Sequence, residues 1–145
     1  MTGTRRDVLK TGVAAGVGWA LAGGAHAADP VIGMIFPPAN YPTPPEAKLL
    51  YPAGVSFLAK GVGLPGGLTE AGYDEAQPRV YAAAMELKAQ GAQGISVMGT
   101  SLTFYRGAAF EHEIKQKITR DTGLPCTTMS SGIMAFSPPF RRISG

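Results

Sequence analysis

The sequence predicts an α/β fold that contains a parallel sheet, and three observations support this class. Short continuous apolar runs, at Val31–Phe36 and residues 94–98, are typical of strands buried on both faces of a parallel sheet. Segments with helical periodicity alternate with these runs, and each is followed by a glycine that can end a helix. Strand, helix, strand, helix, strand in this order indicates a right-handed βαβαβ unit.

The first predicted strand is VIGMIF, Val31–Phe36, which Pro37 and Pro38 end. Residues 39–72 are dense in Pro and Gly, and they predict a long irregular connection with at most one short strand near residues 55–58. Connections of that length are usually functional covers or disordered linkers. Six interleaved side chains favour a packed cover: Tyr41, Tyr51, Phe57, Leu64, Leu68 and Tyr73.

The remaining elements are two helices and two strands. A helix is expected from residue 73 or 74 to residue 90, and its apolar face consists of Val80, Ala83, Ala84 and Leu87. The strand at 94–98 is followed by the loop GTSLTFYRG, a helix over residues 108–122 and a third parallel strand over 126–130. These three strands and two helices would leave one sheet edge and one helical layer uncovered.

The N-terminal sequence predicts an export signal over residues 1–27. Arg5 and Arg6 precede a Gly- and Ala-rich apolar segment, and the tripeptide Ala-His-Ala at 25–27 provides an A-x-A cleavage site. The apolar segment spans about 15 residues, short of the roughly 20 that cross a bilayer, so we expect no stable membrane anchor. We therefore expect export by the twin-arginine translocation machinery to the periplasm; the alternative is an amphipathic or disordered tail.

The charge balance argues against two classes of partner. The chain has 145 residues and a formal net charge of +3. Without Arg5, Arg6, Lys10 and Asp7 of the signal, Lys and Arg fall from 13 to 10 and Asp and Glu from 10 to 9, which leaves +1. A near-neutral chain without a Lys/Arg-rich face argues against nucleic acid or an anionic membrane as the partner.

The C-terminal residues 137–145, SPPFRRISG, predict an irregular end. Pro138 and Pro139 would stop any helix that residues 131–136 begin. We therefore place an α/β half-domain over residues 28–136 and interpret the remainder as an aberrant or truncated tail, the product of a frameshift or an incomplete gene.

The most informative polar segment is Gly99-Thr100-Ser101, directly after an apolar strand. Ligands of open α/β sheets bind beyond the carboxyl ends of the strands. Gly99 allows a close approach of the backbone to a ligand or a positive φ, and the hydroxyl and N–H groups of Thr100 and Ser101 suit a carboxylate or enolate oxygen. A Ser/Thr turn that only caps the connection is the alternative. Phosphate is less favoured because no glycine-rich phosphate motif follows either strand.

Three other residues have chemistry but weaker patterns. Arg106 suits an anion or a surface salt bridge. His112 is expected to be an ordinary exposed helix residue, and no catalytic triad can be assembled around it. Cys126 is the only cysteine, which excludes an internal disulfide and a cysteine-based metal site. Because it begins a predicted interior strand, we expect a buried structural cysteine.

Four sequence blocks carry a family resemblance: IGMIFPPA (32–39), EAGYD (70–74), VMGTSLTFYRGAAF (97–110) and TGLPCTTMS (122–130). Together they closely resemble the N-terminal half of the arylmalonate decarboxylases. That family belongs to the aspartate/glutamate racemase superfamily, which includes maleate isomerase. The resemblance implies a fold of two pseudo-symmetric α/β halves with the active site between them, of which this chain supplies one.

The resemblance implies cofactor-independent decarboxylation of an aryl- or alkyl-substituted malonate, a small dicarboxylate. One carboxylate is held in an oxyanion hole, the other leaves an apolar pocket as CO2, and a cysteine protonates the enediolate. By their place in the motifs, Thr100 and Ser101 match the hydroxyl residues of the oxyanion hole. The implied substrate-binding residues are Pro37, Leu64, Leu68, Tyr73 and Gly99.

Three features qualify this expectation. Gly99 stands where racemases of the superfamily have a catalytic cysteine, which disfavours a racemase or maleate isomerase. The proton-donating cysteine of the family lies in the second half, and Cys126 matches a cysteine that is not the donor. We therefore expect little or no turnover from this chain, with a periplasmic carboxylate-binding fragment as the non-enzyme alternative. The export signal also departs from the cytoplasmic location expected of the family.

Overall fold

A computed structural model describes residues 29–136 of the chain. The expected export signal at 1–27 and the tail at 137–145 lie outside the described residues. Among the described residues, no helix is both long enough and apolar enough to cross a membrane.

The centre of the fold is a four-stranded sheet in which every pair of neighbours is parallel. The strands are β1 (Val31–Phe36), β2 (Ser56–Gly61), β3 (Gly94–Val97) and β4 (Cys126–Thr128), and their order is β2-β1-β3-β4. The predicted α/β class with a parallel sheet is confirmed, and β2 corresponds to the short strand that the sequence allowed near residues 55–58.

The connection after β1 is more regular than the sequence suggests. It contains a short helix, α1 (Pro45–Leu50), and the six-residue strand β2, which pairs with β1 along its whole length from Val31↔Ser56 to Phe36↔Gly61. Because β2 lies at the edge of the sheet, its sequence SFLAKG lacks the continuous apolar run of a central strand. The one short strand that the sequence allowed near residues 55–58 is therefore confirmed as β2, and α1 is the element of this connection that the sequence did not predict.

The long helix α2 (Glu70–Ala89) begins a few residues before the predicted start. Thr69 explains this because its hydroxyl oxygen accepts a hydrogen bond from the N–H of Gly72 at 3.0 Å, which caps the first turn. Gly72 also has to be glycine, since a Cβ there would lie 2.3 Å from the Gly67 carbonyl oxygen.

Two short helices occupy segments that were predicted as loop or strand. Helix α3 (Thr100–Phe104) replaces the first part of the GTSLTFYRG loop, and α4 (Ala108–Thr122) follows as predicted. Helix α5 (Met129–Phe136) begins where the third predicted strand was expected to continue. The hydroxyl of Thr128 accepts a hydrogen bond from the Ser131 N–H at 3.1 Å, which starts the helix and ends β4.

The core lies between one face of the sheet and the helices α2 and α4. Gly33 lets α2 approach closely, because a Cβ there would be 3.0 Å from the Cβ of Leu87. On the other face of the sheet, Ile32, Met34 and Ser96 are only partly buried, and Phe36 at the end of β1 is buried beneath the ring of Tyr41. Within residues 29–136, one helical layer therefore covers one face, as expected for a half-domain.

Candidate functional site

The candidate site lies where the chain reverses its direction across the sheet. From β1 the chain moves to β2 on one side and then returns to β3 on the other. The crevice outside the carboxyl ends of such a strand pair is where open α/β sheets bind ligands. Pro37 directly follows β1, and Met98 and Gly99 follow β3, so the two predicted site residues Pro37 and Gly99 come together there.

Position 99 favours glycine for two independent reasons. Its φ is +91°, a conformation that residues with a Cβ rarely adopt. A Cβ on Gly99 would also lie 2.6 Å from Cγ of Pro37. The positive φ that the sequence suggested for this glycine is therefore present. The close approach shown here is to the proline ring, and a close approach to a ligand stays a prediction.

Thr100 and Ser101 form the first turn of α3, directly after Gly99, instead of lying in an open loop. Both residues are exposed at the carboxyl edge of the sheet. Neither hydroxyl is hydrogen-bonded to another described residue. Two hydroxyl groups are thus available as donors to a ligand oxygen at the predicted place.

The other three predicted site residues are placed differently from one another. Tyr73 is buried at the start of α2, with its ring 5.1 Å from that of Tyr105. Leu64, which follows β2, packs against the core. Leu68 is 78% exposed in the turn before α2, so the described residues do not enclose it. Its role in an apolar pocket stays a prediction.

Arg106 forms the surface ion pairs that were the alternative to anion binding. Its guanidinium lies 2.6 Å from a carboxylate oxygen of Asp74 and 3.5 Å from one of Glu70, both on α2. The hydroxyl of Tyr105 also donates to Asp74. Burial, together with this hydrogen bond, raises the pKa of Tyr105 to about 12. The cluster joins the turn after α3 to the first turns of α2.

A buried polar network at the end of β4 was not found from the sequence. The Glu111 side chain on α4 is buried and accepts hydrogen bonds from the hydroxyls of Thr128 and Ser131, the latter at 2.6 Å. Lys115 lies 4.0 Å from the same carboxylate and donates to Ser131 at 2.6 Å. Burial alone would raise the pKa of Glu111, but these hydrogen bonds and the Lys115 charge lower it on balance. The network fixes the start of α5 beside the site.

His112 and Cys126 lie away from the candidate site. His112 is exposed on α4 and pairs with Gln116 at 2.8 Å, as expected for an ordinary surface residue. Cys126 begins β4, which is an edge strand, so its assignment to an interior strand is wrong and it is half-buried. Burial raises the pKa of its thiol to about 11. Within residues 29–136, no three His, Cys, Asp or Glu side chains are grouped so that they could hold a metal ion.

Comparison with known proteins gives matches across most of the described region. The family model described as arylmalonate decarboxylase matches residues 32–138. An arylmalonate decarboxylase from Bordetella bronchiseptica is 47% identical over 109 residues, which cover 75% of this chain and 45% of that protein. The chain therefore spans a little under half the length of this relative.

Solved structures give the same picture. A liganded arylmalonate decarboxylase variant, with one glycine changed to cysteine and one cysteine to serine, matches with a TM-score of 0.67 and 46% identity, over 73% of this chain and 44% of that one. A further crystal structure of arylmalonate decarboxylase matches with a TM-score of 0.62 and 44% identity, over the same shares. The maleate isomerase Iso from Pseudomonas putida S16 is 15% identical with a TM-score of 0.57, over 72% of this chain and 46% of that one, and shares the fold alone.

Proposed function

Because the chain belongs to the arylmalonate decarboxylase family, we propose that its Gly99-Thr100-Ser101 segment holds one carboxylate of a substituted malonate as one half of a decarboxylase site. The observation that carries this proposal is the pair of exposed hydroxyls, free of other described partners, at the reversal point between β1 and β3. Loss of CO2 from the second carboxylate leaves an enediolate. Donors already aimed at its oxygens stabilise the charge that develops there.

The surroundings of the two hydroxyls suit an apolar substituent on the malonate. Phe104, one turn after Thr100, is 45% exposed at the same edge, and Tyr41 after β1 is 40% exposed and stacks on Phe36. A departing carboxylate placed against such surfaces loses hydration, which favours release of uncharged CO2. These residues favour a malonate whose substituent is an aryl or alkyl group over one whose substituent is polar.

Proton delivery to the enediolate is assigned to a cysteine of the second half, without a cofactor. Cys126 is a poor candidate because it lies at the opposite end of the strands. It pairs with Ile95, four residues before Gly99, which corresponds to about 13 Å along a strand. We therefore propose that the chain binds substrate but has little or no turnover.

Titration calorimetry with phenylmalonate and a CO2-release assay test the proposal. We expect binding to the 145-residue chain, a loss of affinity of at least about tenfold in Thr100→Val and Ser101→Ala, and no change in Ser56→Ala, an exposed hydroxyl at the other end of the sheet. Binding that all three variants retain equally would reject the carboxylate site. CO2 release that survives Cys126→Ala would show that this chain decarboxylates without a thiol of its own.

The maleate isomerase or racemase alternative is less well supported. It requires a cysteine at the position of Gly99, where φ is +91° and Pro37 occupies the space of a Cβ. Turnover of maleate by the wild-type chain would favour this alternative.

We also propose export to the periplasm by the twin-arginine machinery. The support is the Arg5-Arg6 pair, the weakly apolar segment and the Ala-His-Ala site at 25–27. Cell fractionation and the N-terminal sequence of the recovered protein test this. Export that Arg5→Lys with Arg6→Lys leaves intact would contradict it.

A further inference from the structure

The short helix α3 carries Thr100 and Ser101 but cannot fix their direction by itself. It has five residues, and a helix of that length depends on tertiary contacts because the first turn costs more than its hydrogen bonds return. Gly99 before it is the residue type with the greatest backbone freedom in the unfolded chain. The contacts that anchor α3 therefore determine where the two hydroxyls point.

One anchor is the side chain of Gln77 on α2. Its amide Nε2 donates a hydrogen bond to the carbonyl oxygen of Leu102 at 3.1 Å. Carbonyl groups in the last turn of a helix have no partner within that helix. No backbone N–H among the described residues outside α3 donates to Leu102. Gln77 thus supplies from α2 the donor that α3 is too short to provide.

This arrangement has a cost for stability. Gln77 is 8% exposed, and its Oε1 has no hydrogen-bond partner among the described residues. The orientation of the amide follows from its neighbour, because the reverse orientation would place two acceptor oxygens together. An apolar side chain of similar length would avoid a buried, unpaired acceptor. The contact to Leu102 is the property that distinguishes glutamine from such a residue.

Thr103 gives α3 a second, weaker polar anchor. Thr103 is fully buried, and its Oγ1 lies 3.4 Å from the carbonyl oxygens of Gly99 and Thr100. It also lies 3.4 Å from Oγ of Ser130 at the start of α5. These distances are at the long limit for hydrogen bonds between a hydroxyl and an oxygen. Gln77 therefore makes the shorter of the polar contacts that tie α3 to other elements.

We propose that Gln77 is a positioning residue of the carboxylate site, which acts through the Leu102 carbonyl to hold α3 so that Thr100 and Ser101 face the ligand. The effect of Gln77 on ligand binding rests on the proposed function. The structural effect, a specific loss of order in α3 when the Gln77 amide is removed, does not depend on which ligand binds.

The test compares Gln77→Met with the control Gln90→Met in the full chain. Gln90 is exposed at the end of the same helix, so the control makes the same chemical change without affecting α3. Hydrogen exchange is measured at the Tyr105 amide, which donates to Ser101 at 3.2 Å, and at the Gly123 amide, which donates to Thr119 at the end of α4. Phenylmalonate affinity is measured on the same samples.

We expect exchange at Tyr105 to accelerate about tenfold in Gln77→Met, with Gly123 unchanged and no effect in Gln90→Met. We expect phenylmalonate affinity to fall about three- to tenfold in Gln77→Met alone. Unchanged exchange at Tyr105, or equal acceleration at Tyr105 and Gly123, would overturn the positioning role and leave Gln77 as an ordinary packing residue.

A measurement on the wild-type chain covers the case in which Gln77→Met does not fold. The two side-chain amide protons of Gln77 should exchange at least about tenfold more slowly than those of Gln90, because one is held by a buried carbonyl. Equal rates would reject the contact. If the exchange results hold but the wild-type chain does not bind phenylmalonate, the proposed function fails while the anchoring of α3 stands.

Discussion

The ring of Pro37 occupies the space that a side chain at position 99 would need, with Cγ 2.6 Å from the place of a Cβ on Gly99. This contact joins the ends of the two central strands, β1 and β3, at the point where the proposed ligand binds. Position 99 therefore couples the stability of the sheet edge to the geometry of the site.

Gly99→Ala should lower the free energy of unfolding by about 1 to 3 kcal/mol, because the new Cβ meets Pro37 and the positive φ is strained. Gly91→Ala is a matched control, since Gly91 also has a positive φ, +98°, but has nothing within 4 Å of a Cβ. Urea unfolding of both variants measures the difference. Equal losses of unfolding free energy in the two variants would mean that the Pro37 ring moves aside at no energetic cost.

Glu111→Gln should destabilise the chain at neutral pH by about 1 to 3 kcal/mol, because it weakens charge-assisted hydrogen bonds from Thr128 and Ser131. The folded-state pKa of Glu111 is lowered from 4.5. Its contribution is therefore present above pH 4.5 and is lost as the pH falls through the folded pKa.

Unfolding followed across pH 3 to pH 7 checks this, with Glu113→Gln, exposed on the same helix, as the control. A difference between wild type and Glu111→Gln that stays constant on acidification would contradict the ionised network.

Tyr105→Phe should remove the most alkaline step from the ultraviolet titration of the tyrosines, because the pKa of Tyr105 is raised to about 12. The folded pKa lies above the ordinary value of 10.0, so this contribution to stability is complete below pH 10 and is lost between about pH 10 and 12. Tyr51→Phe, at an exposed position, should leave that step in place. An unchanged alkaline step in Tyr105→Phe would contradict the hydrogen bond to Asp74.

Cys126 should react with a thiol reagent at pH 8 at least about tenfold more slowly in the folded chain than in urea, because burial raises its pKa to about 11 and reduces the thiolate fraction. The chain contains one cysteine, so the signal is unambiguous. Phenylmalonate should not change the folded-state rate, since Cys126 lies at the other end of the strands. Protection by the ligand would place the thiol near the site.

The parts of the fold that the sequence predicted are those specified by local pattern. The apolar run of β1 and the periodicity of α4 give both elements with nearly the observed ends. Strand β2 was predicted only as one short strand near residues 55–58, because an edge strand lacks a continuous apolar run. Helix α3 was missed because it is too short for a periodic signal and is held by Gln77, a contact that no local pattern contains.

The same distinction holds for the site. Gly99, Thr100 and Ser101 became candidates because they directly follow a buried strand, and they lie at the reversal point of the sheet. Their role in binding stays a prediction. Glu111 was not found, since a Glu between Phe110 and His112 on a helix is usually solvent-exposed. Its burial depends on Thr128 and Ser131, which only the tertiary fold brings to it.

The pairing of β1 with β3 also has a kinetic consequence. The chain between these two strands contains β2 and α2. The crevice at Pro37 and Gly99 therefore forms only after this long segment has folded and brought β1 and β3 together. Pairing of strands that are distant in sequence is a slow class of folding event. A ligand of the proposed carboxylate site would bind only molecules that have completed this step. It would act as a pharmacological chaperone that slows unfolding and withdraws native chains from the pool able to aggregate.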